Sequence, residues 1–152
     1  HTQGLDIEAS YRTALGNGNL SFRLLANHVF HLKVDGTDVA GIVGGETAFS
    51  TPKWRGTATV AFDNEDFGAN LRVRHVAGGF YNVTQPGVPP LVDGRNGSRT
   101  YVDVGAQFKA GPFTLFANVN NLFDRDPPLT PYITPNYDVI GRYVSGGVKL
   151  RF

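Results

Sequence analysis

The sequence predicts an all-β chain, an antiparallel transmembrane β-barrel segment of about seven long strands. Three observations carry that reading. Apolar and polar residues alternate with a period of two. The alternating stretches are too long for an ordinary soluble sheet. The connections between them are short and long in strict turn.

The first stretch sets Leu5, Ile7, Ala9 and Tyr11 on one face and Asp6, Glu8, Ser10 and Arg12 on the other. Gly16-Asn17-Gly18-Asn19 follows as a tight turn. In the second stretch Leu20, Phe22, Leu24, Ala26, Phe30 and Leu32 share a face, against Ser21, Arg23, Asn27, His31 and Lys33. Trp54, Gly56, Ala58, Val60 and Phe62 then alternate with Arg55, Thr57 and Thr59. Ala69, Leu71 and Val73 alternate with Asn70, Arg72 and Arg74. Val102, Val104, Ala106 and Phe108 alternate with Tyr101, Asp103, Gly105, Gln107 and Lys109. Phe113, Leu115, Ala117 and Val119 alternate with Thr114, Phe116, Asn118 and Asn120. The last stretch alternates Val144, Gly146, Val148, Leu150 and Phe152 with Tyr143, Ser145, Gly147, Lys149 and Arg151.

Most of these strands are roughly 10 to 12 residues long, where soluble strands run ~5–6 and membrane strands need ~9–11. The short connections are Leu15–Asn19, Asp63–Asp66 and Ala110–Pro112. The long ones, Val34–Pro52, Gly78–Thr100 and Phe123–Arg142, are Gly- and Pro-rich and read as unstructured. Outer-membrane barrels have this asymmetry, with short periplasmic turns and long external loops. Charged residues at mid-strand then face a lumen and the apolar faces meet lipid. Trp54, Tyr11, Phe62, Phe108 and Phe113 fall near strand ends, where aromatic girdles sit. An odd number of strands cannot close such a barrel, so more strands are expected before His1.

Composition narrows the function classes. The 152 residues include no Cys, which excludes disulfides, thiolate metal sites and a Cys nucleophile. Net charge is +1 with scattered basic residues, so no nucleic-acid partner is expected. Gly is abundant at 19 residues and aromatics reach 12%, a mixture that suits turns and strands rather than helices. No nucleophile elbow, zinc-protease motif or phosphate loop is present, and no carboxylates pair as acid and base. The chain is therefore read as a non-enzyme.

The C-terminal third resembles TonB-dependent outer-membrane receptors. The residues are Phe113-Thr114-Leu115-Phe116-Ala117-Asn118-Val119-Asn120-Asn121-Leu122-Phe123-Asp124, a Pro- and Tyr-rich loop, then Tyr137-Asp138-Val139-Ile140-Gly141-Arg142-Tyr143 and the closing strand. Gln3-Gly4-Leu5-Asp6-Ile7-Glu8-Ala9-Ser10-Tyr11 is similar to a strand further up such barrels. The final residues also resemble the assembly signal of outer-membrane barrels, with Ser145, Gly147, Leu150 and Phe152 in its four fixed places. The resemblance implies a barrel of about 22 strands with a plugged lumen, of which residues 1–152 are the C-terminal portion without the plug and earlier strands.

It further implies a bacterial outer-membrane location and uptake of a scarce nutrient of the siderophore, cobalamin or oligosaccharide class. The implied partners are outer-membrane lipid, the barrel-assembly machinery, a small-molecule or oligosaccharide ligand, and TonB through the absent N-terminal region. No cofactor is implied. Other outer-membrane barrels such as a porin, and a soluble lipocalin-like binding protein, remain as alternatives.

Candidate ligand contacts are Arg72 and Arg74 on one lumen face, and Tyr81, Tyr132 and Tyr137 in the external loops. Loop aromatics can stack on a sugar or siderophore ring, and packing within the loops is the plainer account of them. No metal site is expected. His28 and His31, three apart, fall on opposite faces of a strand. Asp124, Asp126 and Asp138 lack the Gly and the bidentate Glu of a calcium loop.

Overall fold

The computed structural model describes residues 1–45, 51–82, 94–128 and 136–151. All regular structure among them is β. Seven strands form one antiparallel path: β1 (Thr2–Leu15), β2 (Gly18–Val34), β5 (Trp54–Asp63), β6 (Phe67–Val76), β9 (Arg99–Ala110), β10 (Phe113–Asn120) and β11 (Tyr143–Leu150). Each pairs with the next in sequence order, and β1 and β11 remain as open edges. Short strands decorate the long-loop end: β3 (Thr37–Asp38) pairs with β2, while β4 (Ile42–Gly45), β7 (Gly79–Asn82) and β8 (Arg95–Asn96) form a separate small sheet.

The turns follow from their residues. Gly16 at φ 59 opens the two-residue β1–β2 turn, and Gly111 at φ 59, followed by Pro112, opens the β9–β10 turn. Glycine in the first central position with positive φ marks the type II′ hairpin, whose twist matches the strands. Asp35 (φ 48) and Gly36 (φ 82) make the type I′ counterpart between β2 and β3. At the β5–β6 turn the Asn64 carboxamide accepts from Asp66 N–H and Phe67 N–H at 3.0 and 2.7 Å. An asparagine that bonds backbone two residues on fixes a turn without glycine.

Directly opposed residues of paired strands share a face. One apolar row therefore runs Tyr11–Phe22–Val60–Leu71–Val104–Val119–Val144 across all seven strands. The neighbouring row on the other face is Arg12–Ser21–Ala61–Asn70–Gly105–Asn118–Ser145. No second layer covers the apolar side, so Tyr11 is 67% and Val148 63% exposed. The buried apolar residues gather instead at the long-loop end, where Val43, Val76 and Tyr137 form a cluster.

Three features depart from the sequence expectations. First, the long loops are not wholly irregular. β4 and β7 pair in parallel, Ile42 opposite Phe80, which is possible because both leave the same end of the main sheet. Second, β10 and β11 have only 8 residues each. Asn121 at φ 50 turns the chain out of β10, a left-handed conformation that asparagine tolerates. Third, Phe30 is an extra residue in β2. Val29 opposes Gly4 and His31 opposes Gln3, so the ladder skips Phe30 as a β-bulge. Beyond it the alternation of β2 shifts by one. Leu32 opposes Thr2, on the face opposite to Leu20 and Phe22. His28 opposes Leu5 and His31 opposes Gln3, so the two histidines share a face rather than opposing one another.

His31 Nδ1 lies 2.7 Å from Asp38 Oδ2, and Asp38 Oδ1 accepts from Leu32 N–H and Ala40 N–H at 3.0 and 3.1 Å. His31, then these backbone donors, hold the Asp38 carboxyl well below the usual carboxylate range. The charged form is thus favoured in the folded hairpin. Its stabilisation is complete above the unfolded value of about 4 and is lost as the pH falls below it. Hydrogen exchange at Leu32 and Ala40, corrected for intrinsic rates, should quicken below about pH 4. In Asp38→Asn that extra acceleration should be absent.

Candidate functional site

The densest polar cluster of the described residues sits on the polar face at the long-loop end. Period two places Arg72 and Arg74 of β6 and Tyr101 and Asp103 of β9 on that face, with Arg72 opposite Asp103 and Arg74 opposite Tyr101. Arg74 Nε donates to Asp103 Oδ2 at 2.7 Å and Nη2 to Oδ1 at 3.1 Å, a two-pronged pair. The same Nη2 reaches Asp138 Oδ2 at 3.3 Å in the last loop. Asp103 is 6% exposed and takes a third bond from Asn121 N–H at 2.9 Å. The Arg74 guanidinium also lies 5.2 Å from the centre of the Tyr101 ring.

The last loop is tied across this wall. Asn136 accepts from Arg55 of β5 at 3.2 Å. Tyr137 donates its hydroxyl to Ala77 O at 3.0 Å. Asp138 N–H donates to the Tyr101 hydroxyl at 3.2 Å. Residues 136–138 thus form a strap over β5, β6 and β9.

The Asn121-Leu122-Phe123-Asp124 segment anchors the other arm of the loop. Asn121 is fully buried; its carboxamide donates to Arg125 O at 3.0 Å and accepts from Arg125 N–H at 2.8 Å. Leu122 N–H bonds Val102 O at 2.7 Å. Asp124 Oδ1 accepts from Arg142 N–H at 2.7 Å, and a Cβ on Gly141 would meet that oxygen at 3.0 Å. Gly141 also has φ 80, so glycine is required there twice over. The Asn-Leu-Phe-Asp and Gly-Arg pairs, far apart in sequence, are two halves of one fastening.

A hollow of about 320 Å³ opens beside the strap, lined by Arg72, Arg74, Asp103, Asn120, Asp138, Ile140, Gly141 and Tyr143. Both carboxylates in it are held by Arg74. Arg72, Asn120 and the Tyr143 hydroxyl make no side-chain hydrogen bond among the described residues. They offer donors to whatever enters.

The sequence candidates separate accordingly. Arg72 lines the hollow with its donors unused, whereas Arg74 is committed to Asp103 and Asp138. Tyr137 is 5% exposed and packs with Val43 and Val76, which accounts for it as a loop-packing residue. Tyr81 is in β7, but its side chain lies outside the described residues, as do Tyr132 and Phe152. Ser145 opposes Asn118, and Leu150 opposes Phe113. Gly147 opposes Phe116, whose ring a Cβ there would meet at 2.8 Å, so a side chain at this place would displace the ring. Asp124 and Asp138, considered as cation ligands, bind arginines instead. His28 stacks on Trp54 with ring centres 4.1 Å apart and is not joined to His31. Ile140 and Tyr143 escaped the sequence reading as site residues. The alternation did place Tyr143 inward with Ser145, but nothing marked Ile140.

Comparison with protein-family models matches residues 1–122 to the family described as TonB dependent receptor-like, beta-barrel. Comparison with curated proteins gives no match, and neither does comparison with solved structures.

Proposed function

Since the chain belongs to the TonB-dependent receptor β-barrel family, we propose that it supplies closing strands of a plugged barrel of about 22 strands that takes up a scarce nutrient with energy from TonB. The family is an outer-membrane one. The observation that carries the reading for this chain is the seven-strand apolar row with nothing packed on it. An apolar face of that extent needs lipid or another layer against it. The polar row on the reverse face suits a watery or plugged lumen.

The hollow beside the strap is the proposed ligand contact. Its unused donors on Arg72, Asn120 and Tyr143 suit a ligand rich in anionic or carbonyl oxygen. Replacing Arg72 with Ala should weaken ligand binding about tenfold, the loss of one charge-assisted hydrogen bond at ~1.5 kcal/mol. Unfolding should be unaffected, because Arg72 holds no other side chain. Isothermal titration beside a denaturation curve separates the two.

The assembly signal is also part of this reading. Leu150 and Phe152 would carry the apolar edge and Gly147 the space for Phe116. Deleting Phe152 from the full-length receptor should lower the amount assembled in the outer membrane several-fold, read by heat-modifiable mobility on gels. The function itself is tested by fractionating cells that make the full-length receptor and following nutrient uptake with and without TonB. A soluble product, or uptake indifferent to TonB, would overturn it.

A further inference from the structure

We propose that the short-turn end of the polar face, across β9, β10 and β11, docks an acidic extended polypeptide segment held inside the lumen. This rests on the reading above, in which the polar face is enclosed, so that only a segment of the receptor's own lumen-filling domain reaches it.

Three cations carry the inference. Lys109 and Lys149 both oppose Thr114, from its two sides, and Arg151 is the next residue of the same face. All three are exposed. No carboxylate of the described residues lies within ion-pair distance of any of them. Arg12, Arg23 and Arg74 on the same face each have a carboxylate partner. The nearby Asp63 is already taken by Arg12. The charge at this end of the wall is therefore positive and uncompensated.

Above the cations lies a surface suited to main chain. Phe116 is 42% exposed although it faces the polar side. Its ring leans over Gly147, so no neighbouring side chain on β11 covers it. Gln107 leans over Gly68, and Asn70 and Asn118 lean over Gly105. The three amides have no hydrogen-bond partner among the described residues. Together with Asp63 and Phe116 they line a hollow of about 340 Å³. A primary amide both donates and accepts, which matches the N–H and C=O of an extended chain. The ring gives an apolar anchor, and the three cations select carboxylates beside it.

The test uses the full-length receptor in outer membranes with p-benzoylphenylalanine placed at position 116. Light-induced products are mapped by mass spectrometry. The expected product is an intramolecular cross-link to a segment upstream of His1 with at least two carboxylates within about five residues of the joined position. The charge reversals Lys109→Glu and Lys149→Glu together should lower its yield at least threefold. Cross-linking to a separate protein, to a segment without carboxylates, or with a yield indifferent to charge reversal would overturn the proposal, as would no product. If the photoprobe at 116 prevents assembly, the same probe at position 107 serves. Membrane fractionation and TonB-dependent uptake are followed in parallel. A receptor that assembles and transports but fails the cross-link test sinks this inference alone.

Discussion

Replacing Asp103 with Ala is expected to destabilise the full-length receptor by about 3 kcal/mol, as is usual when one partner of a buried ion pair is removed. Asp103 is 6% exposed and accepts three hydrogen bonds. Its loss leaves the Asn121 N–H without a partner in a buried setting and half-releases Arg74. Arg74 is about one-third exposed and keeps Asp138, so the effect lies at the lower end of the range for fully buried pairs. The midpoint of urea unfolding in detergent should fall accordingly. Limited proteolysis should become faster in the last loop, because residues 136–138 lose their main attachment to β6 and β9. Arg74→Ala should show the same loop sensitivity, and Arg72→Ala should not. An unchanged loop in Asp103→Ala would mean that the strap is held by Tyr137 and Asn136 alone.

Gly18→Val should also act strongly, by about 2–3 kcal/mol, the range for forcing extra atoms into a packed position. A Cβ at Gly18 would meet Asp63 O at 2.5 Å and the Phe62 ring at 2.6 Å. The first of these is backbone and cannot swing away. β2 and β5 would have to part at their turn end, where Asn19 pairs with Asp63. Gly16, two residues earlier, is the useful contrast. Nothing lies within 4 Å of its would-be Cβ, but its φ is +59. Gly16→Ala should therefore cost only about 1 kcal/mol, from backbone strain. Chemical denaturation of the two variants distinguishes a clash from a conformational preference. Equal effects would refute the close approach at Gly18.

The parts of the fold set by alternation could be read from the sequence. Every residue of the row from Tyr11 to Val144 is apolar, so each strand's facing follows from its own letters. The turns could be read too, since Gly16-Asn17 and Gly111-Pro112 have chemistry that few other conformations want. The bulge at Phe30 could not. Val29 and Phe30 are both apolar, and adjacent apolar residues hide a one-residue shift in register. The β4–β7 pair was hidden for a related reason, because Ile42–Gly45 and Gly79–Asn82 are too short to show a period.

The site divided in the same way. Arg72 and Arg74 were found because strand geometry turns them inward together. That one is free to meet a ligand and the other is committed depends on Asp138, 64 residues from Arg74 and across a loop. No local pattern carries that information. Tyr137 shows the same limit. Its place in a Pro- and Tyr-rich loop suggested an exposed ring, and its burial depends on Val43 and Val76 from two other segments.

The strap also has a meaning for the order of folding. The hairpin from β1 to β2 closes over two residues, whereas Arg55 and Asn136 are 81 residues apart and Tyr137 and Ala77 are 60 apart. Contacts of long sequence separation form late, because the chain entropy of closing the loop must be overcome first. The strap joins β10 to β11 in the chain, so its seating and the pairing of the last strand should come together at the end. Until then the mouth stands open and the Val43–Val76–Tyr137 cluster is incomplete. Protection of this loop in a pulse-labelling experiment would then time the final step of insertion.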